Sequence, residues 1–257
     1  MLATLCVVLG LLVGSFLNVV IARGPVDESV VRPGSRCPRC ATPIAARDNV
    51  PVLSWLLLRG RARCCGEPIS VRYPLVELAT AAAFGLLAAR TGPAWVLPAL
   101  LYLAAISVAL AVIDVDTMRL PVGIVRPAYP VAVVLLGGAA LAARDVAAGW
   151  RMFAGCAVAW CLYRLLHAIR PAAMGYGDVR LSGVLGLYLG WVGWANVAVG
   201  LFGGFLVGGV AGLGLVVAGR HKLSSSIPYG PYLLVGAWVG LLEGGPIAAA
   251  YLHASGF

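Results

Sequence analysis

The chain has 257 residues, 61% of them hydrophobic and 11% charged, with a formal net charge of +9. Its mean hydropathy of +0.94 excludes an ordinary water-soluble domain and a disordered polar chain, since neither tolerates so apolar a composition. The fold class this implies is an all-α polytopic membrane protein with a small polar loop domain. The basic excess is not interleaved with aromatic residues, and no nucleic-acid partner is expected from it.

A membrane span needs about 20 consecutive apolar residues. Eight stretches qualify, beginning near Leu2, Tyr73, Trp95, Pro121, Trp150, Leu181, Val197 and Pro231. The first, "MLATLCVVLGLLVGSFLNVVIAR", has no basic residue ahead of its apolar part and no small-residue cleavage site, so residues 1–22 read as a retained span rather than a signal peptide. Residues 23–72 form a cytoplasmic loop domain, and residues 73–257 carry the remaining seven spans. Nine of the 19 Lys and Arg residues lie between Arg23 and Arg72, which marks that loop as cytoplasmic. Threading the spans from there puts Arg164, His167 and Arg170 on the same side, and later Arg220, His221 and Lys222. Three basic clusters therefore agree on one orientation, with the N-terminus outside, and the net charge adds an attraction to anionic inner-leaflet lipid.

The loop holds Cys37 and Cys40 in C-x-x-C spacing and, some two dozen residues later, the adjacent pair Cys64 and Cys65. Four thiolates could surround one zinc ion at about 2.3 Å from each sulfur. The second pair is irregular, because Ala62 occupies the place three before Cys65 and adjacent cysteines converge less easily. An unmetallated reduced loop is the alternative, and a disulfide is opposed by the compartment. Cys6, Cys156 and Cys161 fall inside spans and read as small packing residues. Trp55, in "SWLLLRG", reads as a headgroup anchor.

Only ten acidic residues occur in the whole chain, and ionisable groups at membrane depth are costly enough to be functional candidates. Asp114 and Asp116 end the third span and Asp178 opens the sixth, all on the cytoplasmic side; Glu77 opens the second, and Glu243 lies toward the opposite face. Two carboxyl groups brought together from different helices are the minimum equipment of an aspartic protease, one ionised and one protonated. Gly175 and Gly177, in "GYGD", lack side chains. They would permit non-helical backbone and close approach of an extended substrate strand. Ordinary loop glycines beside an interfacial aspartate are the alternative. Asp114 and Asp116 are about 200° apart around a helix, so only one of them can face Asp178, and helix geometry leaves the choice open. An end-of-helix charge paired with Arg119 is the plain reading of Asp116.

At this point the chain resembles the type IV prepilin leader peptidases. The likeness is carried by "GSFLNVVIAR" (Gly14 to Arg23), "NVPVLSWLLLRGRARCCGEPISVRYPLVEL" (Asn49 to Leu78), "IDVDTMRLP" (Ile113 to Pro121), "GYGDVRL" and "SIPYGPYL" (Ser226 to Leu233), in family order. The resemblance implies a membrane aspartic endopeptidase whose two catalytic aspartates fall on Asp114 and Asp178. It implies cleavage after a glycine at the end of a short basic leader of prepilin or pseudopilin precursors, at the cytoplasmic face of the inner membrane. It further implies S-adenosylmethionine-dependent methylation of the new N-terminus. Glu77, one turn into the second span with Arg72 nearby, is a candidate for that second site, with a plain interfacial charge as the alternative. Departures from the family pattern are Ala62 and Cys64 in the second cysteine pair, a shorter loop, and Arg180 in place of a lysine. A peptidase without methylation, or an inactive pilus assembly factor, are the competing readings. Neither the client pilin nor an oligomeric state is written in the sequence.

Overall fold

The computed structural model describes residues 1–26, 28–32, 34–37, 39–171, 174–218 and 228–256. Arg220, His221, Lys222 and the first residues of "SIPYGPYL" lie outside the described residues. The elements are α1 (Leu2–Arg23), α2 (Leu53–Leu57), α3 (Arg72–Thr91), α4 (Leu97–Thr117), α5 (Val122–Ala143), α6 (Val146–Ile169), α7 (Tyr176–Val192), α8 (Trp194–Val217) and α9 (Gly230–Ala254), with short 3-10 turns at Gly24–Val26 and Ala46–Asp48. No strand longer than an isolated bridge occurs among the described residues. Seven of these helices are long and apolar enough to cross a membrane.

The eighth long helix, α7, departs from expectation. It begins at Tyr176 rather than near Leu181 and runs for 17 residues, 12 of them buried. At 1.5 Å per residue it is about 26 Å long, short of the roughly 30 Å hydrocarbon thickness. A helix apolar on all sides belongs inside a bundle, and α7 packs against α5, α6, α8 and α9.

The chain divides into two compact units, Met1–Val112 and Ile113–Phe257. In the first, α1 and α3 pack backbone to backbone. A Cβ on Gly10 would lie 2.6 Å from the Ala81 Cα, and one on Gly14 would lie 2.7 Å from the Glu77 Cα. Small residues one turn apart allow this approach where lipid provides no hydrophobic drive. Asn18, buried on α1, donates from Nδ2 to the Tyr73 carbonyl at 3.1 Å and so ties the start of α3 to the end of α1.

The second unit repeats the device. A Cβ on Gly155 of α6 would lie 2.6 Å from the Gly186 carbonyl of α7, and one on Gly240 of α9 would lie 2.5 Å from the Gly200 Cα of α8. The outward face of α8 carries Phe202, Leu206, Val210 and Leu213, all exposed and one helical stripe apart, as a lipid-facing surface requires. Cys161 is likewise exposed, whereas Cys6 is buried and Cys156 half-buried.

Candidate active site and metal cluster

In the second unit the last turn of α4 delivers Asp114. Beyond it the helix stops: Thr117 turns its hydroxyl back to the Ile113 carbonyl at 2.8 Å, and Met118 takes a left-handed conformation with φ of 52°. Pro121 then opens α5. Asp114 is 5% exposed, while Asp116 faces outward.

Asp178 sits in the first turn of α7 and is 7% exposed. Its Oδ2 accepts the Gly175 N–H at 3.2 Å, and the Asp178 N–H returns to the Gly175 carbonyl at 3.1 Å. A carboxylate here satisfies an amide that would otherwise lack a partner and meets the positive end of the helix dipole. Asp114 and Asp178 line one cavity of about 280 Å³ with Met118, Leu120, Gly175, Gly177 and Arg180.

The glycines differ from expectation in their backbone. Gly177 is inside α7, and Gly175 is extended with φ of −69°, which any residue can adopt. Gly177 is constrained from within: a Cβ there would lie 2.9 Å from the Leu120 Cβ. Tyr176, between them, has the Arg180 guanidinium 4.7 Å above its ring, Arg164 at 6.0 Å and the His167 ring edge-on at 5.6 Å. His167 bonds the Met174 carbonyl through Nδ1 at 2.8 Å and so holds the approach to α7.

The residue that sequence reasoning missed is Gly230. Its N–H, at the start of α9, donates to Oδ2 of Asp114 at 2.9 Å across 116 positions of sequence. A G-P at a helix start signals a turn, and nothing local names the distant carboxylate that the amide meets.

In the first unit, the four loop cysteines converge. Their sulfurs all lie within 4.8 Å of one another, with Cys40 to Cys64 at 3.3 Å, Cys37 to Cys65 at 3.6 Å and Cys64 to Cys65 at 3.8 Å. Tetrahedral bonds of about 2.3 Å separate sulfurs by about 3.8 Å, so the donor set fits a four-coordinate zinc. The expectation that adjacent cysteines converge poorly is overturned, for a reason legible in the chain. "RCPRCATPI" (Arg36 to Ile44) and "RARCCGEPI" (Arg61 to Ile69) are two copies of one turn, each closed by an isolated bridge, Arg36 to Pro43 and Arg61 to Pro68. Each has a left-handed residue after the second cysteine, Ala41 with φ of 58° and Gly66 with φ of 71°. Cys64 supplies from inside the second turn the sulfur that Ala62 cannot. The thiols are already unlike: Thr42 lowers Cys40 to about 6, and the hydrogen bond with Cys40 pushes Cys64 up to about 12.

Behind this cluster lies a cavity of about 850 Å³, lined among others by Asn18, Asp48, Trp55, Tyr73 and Glu77. Trp55 is not turned out to headgroups as expected. Its indole N–H donates to the Ile69 carbonyl at 3.0 Å, while Leu53, Leu56 and Leu57 of α2 face outward. Glu77 is buried and its Oε2 accepts the Val52 N–H at 2.7 Å.

Residues 8–91 match the family described as Bacterial Peptidase A24 N-terminal domain, and residues 101–217 match the Type IV leader peptidase family. A protein of Aeromonas hydrophila called prepilin leader peptidase/N-methyltransferase is 40% identical, over 94% of this chain and 91% of its own length. Proteins with the same name from Neisseria gonorrhoeae and Pseudomonas aeruginosa are 38% and 34% identical, over 91% and 98% of this chain and 88% and 93% of theirs. No solved structure matches.

Proposed function

The chain belongs to the type IV leader peptidase family, and from that premise we propose that it is a membrane aspartic endopeptidase. Its substrates are prepilin or pseudopilin precursors, it cuts at the cytoplasmic face of the inner membrane, and it N-methylates the new N-terminus. The observation that carries the proteolytic reading is the pair Asp114 and Asp178, both buried and both lining one small cavity.

Two carboxyl groups in such a space hold one proton between them, because like charges so near cannot both ionise. The ionised member takes a proton from water as the water oxygen attacks the scissile carbonyl. The protonated member gives its proton to the carbonyl oxygen; as the C–N bond breaks, the proton taken from water passes to the amine nitrogen and the carbonyl re-forms, returning its proton to the pair. Gly175 and Gly177 line the same cavity, where a substrate strand held extended would lie. The three basic clusters of the sequence support a cytoplasmic site and contact with anionic lipid.

Zinc held by Cys37, Cys40, Cys64 and Cys65 would close the loop as a four-coordinate structural ion. The cavity behind it falls within the roughly 300–1,000 Å³ typical of cofactor sites. S-adenosylmethionine, which supplies an electrophilic methyl group when bound, is implied by the relatives' names; Asn18, Asp48, Trp55 and Tyr73 would hold it. Glu77, the buried acid of the same wall, would hold the cationic amine of the cleaved substrate.

The test is processing of a prepilin by the full-length protein in membranes. Asp114→Asn and Asp178→Asn should each abolish cleavage, and the mature wild-type product should gain one methyl group, about 14 Da. Cleavage surviving both changes would remove the two aspartates from the chemistry, and no cleavage by the wild type would leave an inactive assembly factor. Cleavage without the mass gain would leave a peptidase alone.

A further inference from the structure

The two carboxyl groups are held alike, each through one oxygen and each by a backbone amide at the start of a helix. For Asp178 the donor is Gly175, three residues away at the cap of its own helix; for Asp114 it is Gly230 on α9. The N-terminal amides of a helix have no acceptor within it, and the positive end of the α9 dipole faces the Asp114 carboxylate. Pro231, which has no N–H to satisfy, sets the first turn without competing for that oxygen. A backbone amide also differs from a serine or asparagine side chain in that it only donates. It therefore orients a carboxylate without taking part in the exchange of the proton the dyad shares.

The start of α9 is itself pinned. Tyr229 shares a hydrogen bond with Tyr163 at 3.3 Å between hydroxyls, and Phe205 stacks on Tyr163 at 5.1 Å and lies 6.0 Å from Tyr229. Gly208 of α8 makes room for this ring, since a Cβ there would lie 3.0 Å from Tyr229 Cε2. A side chain at position 230 would push on the carboxylate itself: a Cβ would lie 2.8 Å from Asp114 Oδ2 and 3.2 Å from its Cγ, so the carboxylate would have to move.

We infer that the first turn of α9 is part of the proteolytic centre, with Gly230 a positioning residue that occupies Oδ2 of Asp114 through its N–H and leaves Oδ1 to the attacking water. This rests on the reading of Asp114 and Asp178 as the proteolytic pair. Position 230 acts on the rate of the chemical step and not on substrate affinity, because the contact is with the carboxylate.

The full-length protein, reconstituted with a prepilin, gives the test. Gly230→Ala should lower kcat by about 10- to 100-fold, the scale of a misplacement near 1 Å, while KM stays within about twofold. Gly245→Ala, on the same helix with open space around its Cβ, should change neither. A folded Gly230→Ala protein with wild-type kcat, or with its loss confined to KM, overturns the inference. Should that variant fail to accumulate, hydrogen exchange of Asp114→Ala decides. The Gly230 amide should exchange at least about tenfold faster than in wild type, whereas the Leu233 amide, bonded to the Tyr229 carbonyl, should not change. Unaltered exchange at Gly230 overturns the inference too. Retained cleavage in Asp114→Asn would instead sink the proteolytic reading itself; loss there beside a normal Gly230→Ala sinks only the role of α9.

Discussion

Leu120 occupies the space where Gly177 would carry a side chain: an added Cβ would come within 2.9 Å of the Leu120 Cβ and 3.5 Å of its Cδ1. The link that follows the first aspartate and the turn that carries the second are thereby packed on each other. At Gly175, by contrast, the nearest atom to an added Cβ is Asp178 Oδ2 at 3.4 Å, an ordinary contact. The two glycines of the motif are unequal. Gly177→Ala should reduce cleavage about tenfold or more, and Leu120→Gly in the same chain, which removes the clashing Cβ, should recover part of the loss, as coupled neighbours do. Gly175→Ala should keep near-normal activity if packing alone sets the motif. A loss as large as that of Gly177→Ala would show that substrate backbone approaches Gly175.

Val52 is a strained point of the loop. It has φ of 60° and ψ of −50°, and Leu53 N–H bonds the Pro51 carbonyl across it, which makes a γ-turn of the rare, strained hand. A β-branched residue in that region costs of order 1–3 kcal/mol, and such strain gathers at functional sites. The Glu77 carboxylate holds the turn by accepting the Val52 N–H. Glu77→Gln preserves an acceptor oxygen but removes the charge. It should leave leader cleavage intact while lowering methylation at least about tenfold, read as the fraction of mature product with the added methyl mass. Equal methylation in the variant would remove Glu77 from that step.

The fold class could be read from hydropathy because spans are long and their signal is additive. α7 was the exception. Its buried surface is reached through glycines and leucines rather than length, and its first five residues include Asp178 and Arg180, which displaced the expected start toward Leu181. The two aspartates were legible because carboxylates are few in so apolar a chain. Burial of Asp114 against exposure of Asp116 needed the structure, since both lie in the same helical turn. The Gly230 contact was illegible for a different reason: a backbone amide leaves no residue-type signature. The paired cysteine turns were legible as R-x-x-x-C-x-x-P-I written twice, although counting C-x-x-C spacing alone concealed them.

Tyr176 separates the motif's two glycines and is itself flanked by cations, with Arg180 4.7 Å and Arg164 6.0 Å from its ring. Such contacts contribute about 0.5–2 kcal/mol each depending on solvation. Tyr176→Phe keeps the ring and should keep activity within about threefold. Tyr176→Ala frees both guanidiniums and should lower kcat/KM by about tenfold, measured with the same prepilin. If the phenylalanine variant fell as far as the alanine one, the hydroxyl rather than the ring face would be the operative group.

The cysteine turns give a prediction that rests on their repeat. Cys37 holds the second place of the first turn, and Ala62 stands at the equivalent place of the second, while Cys64 supplies the fourth sulfur from within the turn. Cys64→Ser should lower zinc affinity by more than the about 10- to 100-fold typical of losing an outer partner of a metal ligand, measured by competition with a chromophoric chelator. Restoring the regular spacing with Ala62→Cys in a Cys64→Ala background should return one zinc per chain, because both copies share the same bridge and the same left-handed residue. Removal of zinc from the wild type should lower its melting temperature and leave that of Cys64→Ser unchanged, since metal binding there no longer contributes to folding. An unaltered wild-type melting temperature after chelation would mean that the four thiols close the loop without an ion.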